Sequence, residues 1–431
     1  MRRTWLLIAI LALLGMTIPA YAAPQAAPTG SAGFVLPLAD SSAGGAPTAI
    51  GPAIDGFLDN ASLGGSVGAI VLDVSTGAVL YQREAAQPRP LASNQKVFTA
   101  LAILEALGPE ARIETSVAWD RATRTLTLVG GGDPTLASVS ARGSSLAALA
   151  DEVTRQVQGD VTLRYDTSLF TGPSLAPGWS TSYPATGVAA PVSPLVVDRS
   201  RVDGGEMRQA DPARAAAEVF ARLLADRGVV TGGVAEAAAS GGTIAVTASE
   251  PVATMVETML TESDNDMAEI LAHLAGAVAT GSGSFASGAQ ATATSLTALG
   301  IPVNGAAFVD GSGLSYDNVA SPLTLATALS LSASPAAPAA TWPVVLGLPV
   351  AGLTGTLADR FTGPGTRRAA GFVRAKTGTL IRVSTLAGTV VDAEGRLLAF
   401  AFMSDATRDI DASRVALDQA AAALAACGCR S

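Results

Sequence analysis

The stretch from Ser93 to Leu107 reads as a helix that is apolar almost all round and is stopped by Gly108-Pro109. Such a helix has no face to offer water, so it is expected in the middle of a domain with other layers packed around it. Strand signals lie on both sides of it in sequence. Gly68–Val74 and Ala78–Gln82 are predicted to form a hairpin through Ser75-Thr76-Gly77, and their hydrophobic runs suggest central strands. Near the other end, Gly371–Leu380, Val383–Val391 and Leu397–Met403 alternate as strands, with Asp392-Ala393-Glu394-Gly395 as the turn between the last two.

Helical patterns flank these strands. A short helix is predicted over Thr48–Leu58, with Ile50, Ile54, Phe57 and Leu58 on one side. Others cover Pro251–Leu260 and, after a break at Thr261–Asn265, Asp266–Gly276, and a last one covers Ser413–Ala426. The pattern predicts an α/β (α+β) fold in which strands from both ends share one antiparallel sheet flanked by helices. Residues 113–245 change character, with Thr- and Val-bearing strand-like pieces and Pro/Gly-rich loops around Pro173–Pro194. They read as an inserted domain with its own core, the main domain being 48–112 plus 246–431.

The first 22 residues read as an export signal: Arg2-Arg3, an apolar stretch from Trp5 to Ile18, and Ala20-Tyr21-Ala22 as a small-residue cleavage site. That stretch is short for a transmembrane helix, which takes about 20 residues, and no transmembrane segment is expected after cleavage. Residues 23–47, rich in Ala, Pro, Gly and Ser, read as a flexible lead-in. The expected location is outside the cytoplasm, in the periplasm or the extracytoplasmic cell-wall space.

Composition removes several kinds of chemistry. The net charge of −9, with no basic run, argues against a nucleic-acid partner. The two cysteines, Cys427 and Cys429, are one residue apart, where a bridge would be strained. His273 is the only histidine and sits on a helical pattern with Met267, Ile270, Leu271 and Leu274, which favours a packed structural role. A Ser-His-Asp hydrolase or a His/Cys zinc site is therefore not expected, and a hydrolase here needs another base.

Lysine can be that base. Of 27 Lys and Arg residues only Lys96 and Lys376 are lysine. Arginine keeps its proton near neutral pH, whereas a buried lysine can lose it. Both lysines fall in short motifs. Ser93-Asn94-Gln95-Lys96 opens the apolar helix, and its three-residue spacing puts nucleophile and base on the same side of the first turn, beside N–H groups that favour an oxyanion. Lys376-Thr377-Gly378-Thr379 sits in a strand. There an ammonium and two hydroxyls make an anion site, Gly378 admits close backbone approach, and the Thr379 N–H joins that of Ser93 as an expected oxyanion hole. Ser263-Asp264-Asn265 fills the helix break. Ser263 there can relay a proton and Asn265 can hold the lysine, although the same string also reads as a helix cap.

Together, in this order, the three motifs are the signature of serine enzymes that react with penicillin. The chain resembles the D-Ala-D-Ala carboxypeptidase/endopeptidase family of low-molecular-mass (class C) penicillin-binding proteins over about residues 60–405. The likeness extends to Gly132–Leu136, Ala176–Trp179, Asp310–Ser315 and Gly352–Leu357. It implies the serine β-lactamase/penicillin-binding-protein transpeptidase-like fold with a domain inserted between the first and second motifs. It also implies peptidoglycan stem peptides ending in D-Ala-D-Ala as substrates, β-lactams as covalent inhibitors, and no cofactor or metal.

By the same resemblance Ser93 is the nucleophile, Lys96 its base, Ser263 the proton relay, and Lys376 with Thr377 and Thr379 the carboxylate site. Two places depart from the family's pattern. Trp179 is followed by Ser180-Thr181-Ser182-Tyr183, where members that bind a diaminopimelate-like side chain commonly carry acidic and aromatic residues, and Ser315 by Tyr316, where they carry an arginine. A β-lactamase is the nearest alternative, but it needs a Glu base between the second and third motifs, and after Glu269 there is none until Glu394. An esterase of the same fold and a non-catalytic wall-binding protein are the other readings. Lys96 is expected to be the lysine that deprotonates and Lys376 to remain a fixed cation.

Overall fold

The computed structural model describes residues 50–140 and 143–427. The expected signal, the lead-in, the first two residues of the first helix and Cys429 lie outside them. Cys427 is disulfide-bonded.

The chain opens with helix α1 (Ile50–Leu58), which buries Ile50, Ile54 and Leu58 along one stripe. The hairpin follows as β1 (Val67–Asp73) and β2 (Val79–Arg83). Asp73 makes its turn by accepting from the N–H of Ser75 at 2.8 Å and of Thr76 at 3.0 Å. After the two-residue β3 (Arg89–Pro90) comes the apolar helix, α2 (Gln95–Leu107), whose residues from Gln95 to Leu104 are all buried.

The next segment builds a sheet of its own from β4 (Glu114–Asp120), β5 (Thr125–Val129), β6 (Val161–Asp166), β7 (Thr231–Glu236) and β8 (Gly242–Ala248), in the order β7-β6-β5-β4-β8. Its β5–β6 and β6–β7 pairs are parallel and the other two antiparallel. Helices α3 (Leu146–Thr154) and α4 (Pro212–Ala225) close a separate core around Leu128, Leu149, Leu163 and Phe220.

Helices α5 (Val252–Glu262), α6 (Asn265–Thr280) and α7 (Phe285–Ala298) return the chain to the region of α2. β9 (Val319–Ala320) then pairs with β3, and α8 (Pro322–Ala333) and the short α9 (Trp342–Leu346) follow. The chain ends with β10 (Val373–Leu380), β11 (Val383–Val391), β12 (Leu397–Ser404) and α10 (Ile410–Ala426).

The main sheet is antiparallel throughout and runs β10-β11-β12-β1-β2, so strands from both ends of the sequence share it and meet at the β12–β1 pair. One face packs Phe400, Phe402 and Val71 against Ile54 of α1 and Leu417 of α10. The other packs Ile70, Ala401 and Met403 against the helices around Phe98 of α2, Leu271 of α6 and Leu329 of α8. This is the layering that an all-round apolar α2 requires. One expectation fails in part: β1 is central and wholly buried, but β2 is the sheet edge, and its Val79 is 51% exposed. A hydrophobic run of five residues does not by itself separate a central strand from an edge whose outer side chains lie against the surface.

Candidate active site

Ser93 lies in a single helical turn, Ala92–Asn94, that leads into α2, with Ala92 held at a φ of 47°. That left-handed conformation costs a non-glycine residue about 1–3 kcal/mol and persists only where the surroundings impose it. The surroundings are close. Gly313 (φ +85°) lies so near that a Cβ on it would stand 1.8 Å from the Ala92 carbonyl oxygen. On the sheet side, Asn94 Nδ2 donates to Thr385 Oγ1 of β11 at 2.6 Å, which pins the turn to the sheet. The turn leaves Ser93 half-buried, while Lys96 one turn on is fully buried.

Lys96 Nζ has three partners: Ser93 Oγ at 3.0 Å, Asn265 Oδ1 at 2.8 Å and the Ser312 carbonyl oxygen at 2.8 Å. The Asn265 amide is oriented from behind, because its Nδ2 donates to the Val188 carbonyl at 2.8 Å. This arrangement has a chemical consequence. A neutral amine has two N–H bonds and one lone pair, and the Asn265 and Ser312 oxygens can only accept, so they take both hydrogens. The lone pair is left for Ser93 Oγ, the direction from which a proton must come. Burial pushes the Lys96 pKa down to about 8, against the opposing pull of Glu269, Asp310, Asp264 and Asp266.

The second motif divides its work between structure and site. Ser263 ends α5 in the left-handed conformation, φ 58° and ψ 38°, and Asp264 caps α6 by accepting from the Met267 N–H at 2.9 Å. The cap reading of this string therefore applies to Asp264, while Ser263 Oγ meets Lys376 Nζ at 2.8 Å and Asn265 meets Lys96.

Lys376, on β10, is also fully buried, and its Nζ donates to the Thr377 carbonyl at 3.0 Å. Burial and the neighbouring Lys96 charge both push its pKa well below that of an ordinary lysine. The two lysines differ in their surroundings: carboxylates face Lys96, whereas the charge acting on Lys376 is that of another lysine. Gly378 also differs in what it admits. A Cβ there would meet Thr385 Oγ1 at 2.2 Å and the Leu91 carbonyl oxygen at 2.9 Å, so the glycine lets β10 cross the Ser93 turn rather than opening the strand to substrate. Thr377 Oγ1 lies 3.0 Å from Thr356 Oγ1, and Thr379 is exposed, with Arg414 Nη2 3.4 Å from its hydroxyl.

The fold thus brings Ser93, Lys96 and Asn265 into one hydrogen-bonded set and Ser263 and Lys376 into another, the two sharing the Ser263–Asn265 backbone, with Thr377, Gly378 and Thr379 continuing along the strand that crosses the Ser93 turn. Several contributors carry no motif of their own: Ser312, Thr385, Thr356 and Arg414. Ser312 and Thr356 fall in segments that share the family likeness, and that was the available signal. Trp179 Nε1 donates to Asp310 Oδ2 at 2.9 Å, which ties a third of those segments, Ala176–Trp179, to the one that carries Ser312. His273 is buried, and its Nδ1 lies 2.9 Å from the Glu269 carbonyl one helical turn back. Among the described residues no group of His, Cys, Asp and Glu is arranged to hold a metal ion, and no helix is long and apolar enough to cross a membrane.

The model of the D-Ala-D-Ala carboxypeptidase 3 (S13) family matches residues 51–205 and 203–426. A carboxypeptidase of Mycobacterium tuberculosis is 34% identical over 426 residues, covering 96% of this chain and 91% of its own length. Carboxypeptidase DacB of Mycolicibacterium smegmatis is 35% identical over 390 residues, covering 88% of this chain and 84% of its own. Penicillin binding protein 4 of Haemophilus influenzae, also solved in complex with a β-lactam, superposes with a TM-score of 0.70 at 22% identity, covering 86% of this chain and 97% of that one. The fold is accordingly that of the penicillin-binding proteins, and the chain belongs to the D-Ala-D-Ala carboxypeptidase 3 (S13) family of serine-type peptidases.

Proposed function

We propose that this chain is an exported serine D-Ala-D-Ala carboxypeptidase, and a D,D-endopeptidase where a cross-link fits, acting on peptidoglycan stem peptides through an acyl-enzyme at Ser93. The carrying observation is the coordination of Lys96, whose two acceptor-only partners aim its lone pair at Ser93 Oγ. Ser93 Oγ attacks the carbonyl carbon of the penultimate D-Ala while Lys96 takes its proton. The N–H groups of Ser93 and Thr379 hold the oxyanion. The bond to the last D-Ala then breaks, Ser263 giving its proton to the departing amine and regaining the one that Lys96 took, and water hydrolyses the ester, its proton returning to Ser93 Oγ.

The carboxylate of the last D-Ala sits against Lys376, Thr377 and Thr379. Its negative charge favours the ammonium form of Lys376, against burial and the Lys96 charge, which disfavour it. Penicillin carries a carboxylate and an amide carbonyl in a similar relation, and on this reading it acylates Ser93 and stays. The β-lactamase alternative lacks its base: Glu269 is the one glutamate between the second and third motifs, and both of its oxygens already accept backbone N–H bonds.

The same reading takes residues 1–22 as the signal, 23–47 as the lead-in, 48–112 plus 246–431 as the catalytic domain and 113–245 as an inserted domain. The separate sheet and core of the insert support a division there, with β8 carrying the insert's last strand on to Ala248. Export rests on the basic-apolar-small pattern of the first 22 residues. The test is mass spectrometry of a stem pentapeptide and of cross-linked dimers after incubation. Loss of one D-Ala or cleavage of dimers by the wild type, and neither by Ser93→Ala, is expected. Equal turnover by Ser93→Ala overturns the proposal.

A further inference from the structure

Glu269 lies on α6 one turn beyond Asn265 and is 1% exposed, a carboxylate placed in the interior without a cationic side chain bonded to it. Its oxygens accept from two successive backbone N–H groups, Gly311 at 2.9 Å and Ser312 at 2.7 Å. The carbonyl of that same Ser312 accepts from Lys96 Nζ at 2.8 Å. The residue that Glu269 grips by its N–H is therefore the one that directs Lys96 by its C=O. Thr99 Oγ1 holds the adjoining Gly311 carbonyl at 2.6 Å, and Asp310 accepts from the N–H of Gly313 at 2.7 Å. The segment is thus fixed on either side of the peptide that matters.

We propose that Glu269 is a positioning residue for acyl transfer: through the Gly311–Ser312 backbone it fixes the carbonyl that orients Lys96, and its charge tunes how readily Lys96 gives up its proton. The proposal rests on the reading of Lys96 as the base. The groups that face Lys96 are Glu269 and, near the start of the same helix, Asp264 and Asp266, with Asp310 from the loop and Lys376 from β10. Glu269 in turn is faced by Asp310 and Lys96. Among the carboxylates Glu269 has the largest influence on Lys96, and it acts to keep the ammonium charged. Burial and the Asp310 charge push its own pKa upward, while the N–H groups of Gly311 and Ser312 oppose the rise.

The experiment measures the rate of penicillin acylation against pH for the wild type, Glu269→Gln, Glu269→Asp and Thr99→Val, with folding checked by circular dichroism. Glutamine cannot accept from both N–H groups and carries no charge. It should slow acylation about 10- to 100-fold, the usual scale for an outer-shell orienting partner, and move the rising limb of the profile to lower pH. Aspartate keeps the charge but falls one methylene short, so the rate should drop about tenfold with the limb in place.

Thr99→Val loosens the loop without touching charge and should likewise leave the limb unmoved. A Gln variant that folds with its limb at the wild-type pH overturns the tuning role, and an Asp variant with the wild-type rate overturns the positioning role even where the Gln variant does not fold. A wild type that takes no penicillin overturns the reading of Lys96 itself, a result distinct from either.

Discussion

The two lysines share a site and are both fully buried, yet their surroundings differ, and their chemistry should differ accordingly. Lys96 faces four carboxylates and three hydrogen-bond acceptors, and its pKa settles at about 8. Acylation needs its neutral form, so kcat/KM should rise with pH through about 8 and level off above it, with the protonated, inactive form dominant below; a pH profile of penicillin acylation checks this. Lys96→Arg keeps a charge that cannot be shed and should slow acylation by about 100- to 10,000-fold, read with a labelled penicillin.

Lys376 has a lysine as its charged neighbour, so a ligand carboxylate should draw a proton onto it. Mixing Ser93→Ala with penicillin in weak buffer should consume protons, and a pH indicator reads that uptake. No uptake would mean that Lys376 is already charged in the free protein. The sequence shows that these lysines are special but not how they differ, because burial and neighbouring charge are properties of the folded site.

At the level of elements, the site depends on how tightly the Ser93 turn is enclosed. The helix that the turn leads into is held by its core: Phe98, fully buried on α2, has its ring edge-on to Phe308 at 5.7 Å. Phe98→Ala should cost about 3–5 kcal/mol, measured by denaturant unfolding. The apolar helix, the β1–β2 hairpin and the last three strands were legible because each carries a clear period and a clear turn. The edge position of β2 was not, since strand order depends on partners hundreds of residues away. Nor was the duty of Gly378: a glycine in a strand signals close approach, but not whether substrate or the protein's own backbone approaches. Gly378→Ala would force Thr385 away from Asn94 and should slow acylation more than it lowers stability, a contrast that parallel acylation and unfolding measurements expose.

Across the whole molecule, the segment carrying the second sheet also reaches the site. Val188 orients the Asn265 amide, and the next residue on α6, Asp266, accepts from the Ala190 N–H at 2.6 Å and from Arg208 Nε at 2.5 Å. Burial and nearby Asp264 still raise the Asp266 carboxyl above its ordinary value, so the Arg208 pair does not offset the cost of burying it, and its service is to hold residues 188–190 in place. Arg208→Ala leaves that carboxylate buried and unpaired. It should cost about 3–5 kcal/mol in unfolding experiments and lower kcat/KM for stem peptides. This long-range tie was not readable in the sequence, because nothing in the spacing of Val188, Arg208 and Asp266 marks them as neighbours.

The most direct measurement is intact-protein mass spectrometry after brief exposure to penicillin, followed by peptide mapping, on the wild type and on Ser93→Ala. One penicilloyl group per wild-type chain, mapped to the peptide containing Ser93 and absent from Ser93→Ala, is the predicted result. Adduct on Ser93→Ala, or an unmodified wild type that still releases D-Ala, would contradict a Ser93 nucleophile activated by Lys96.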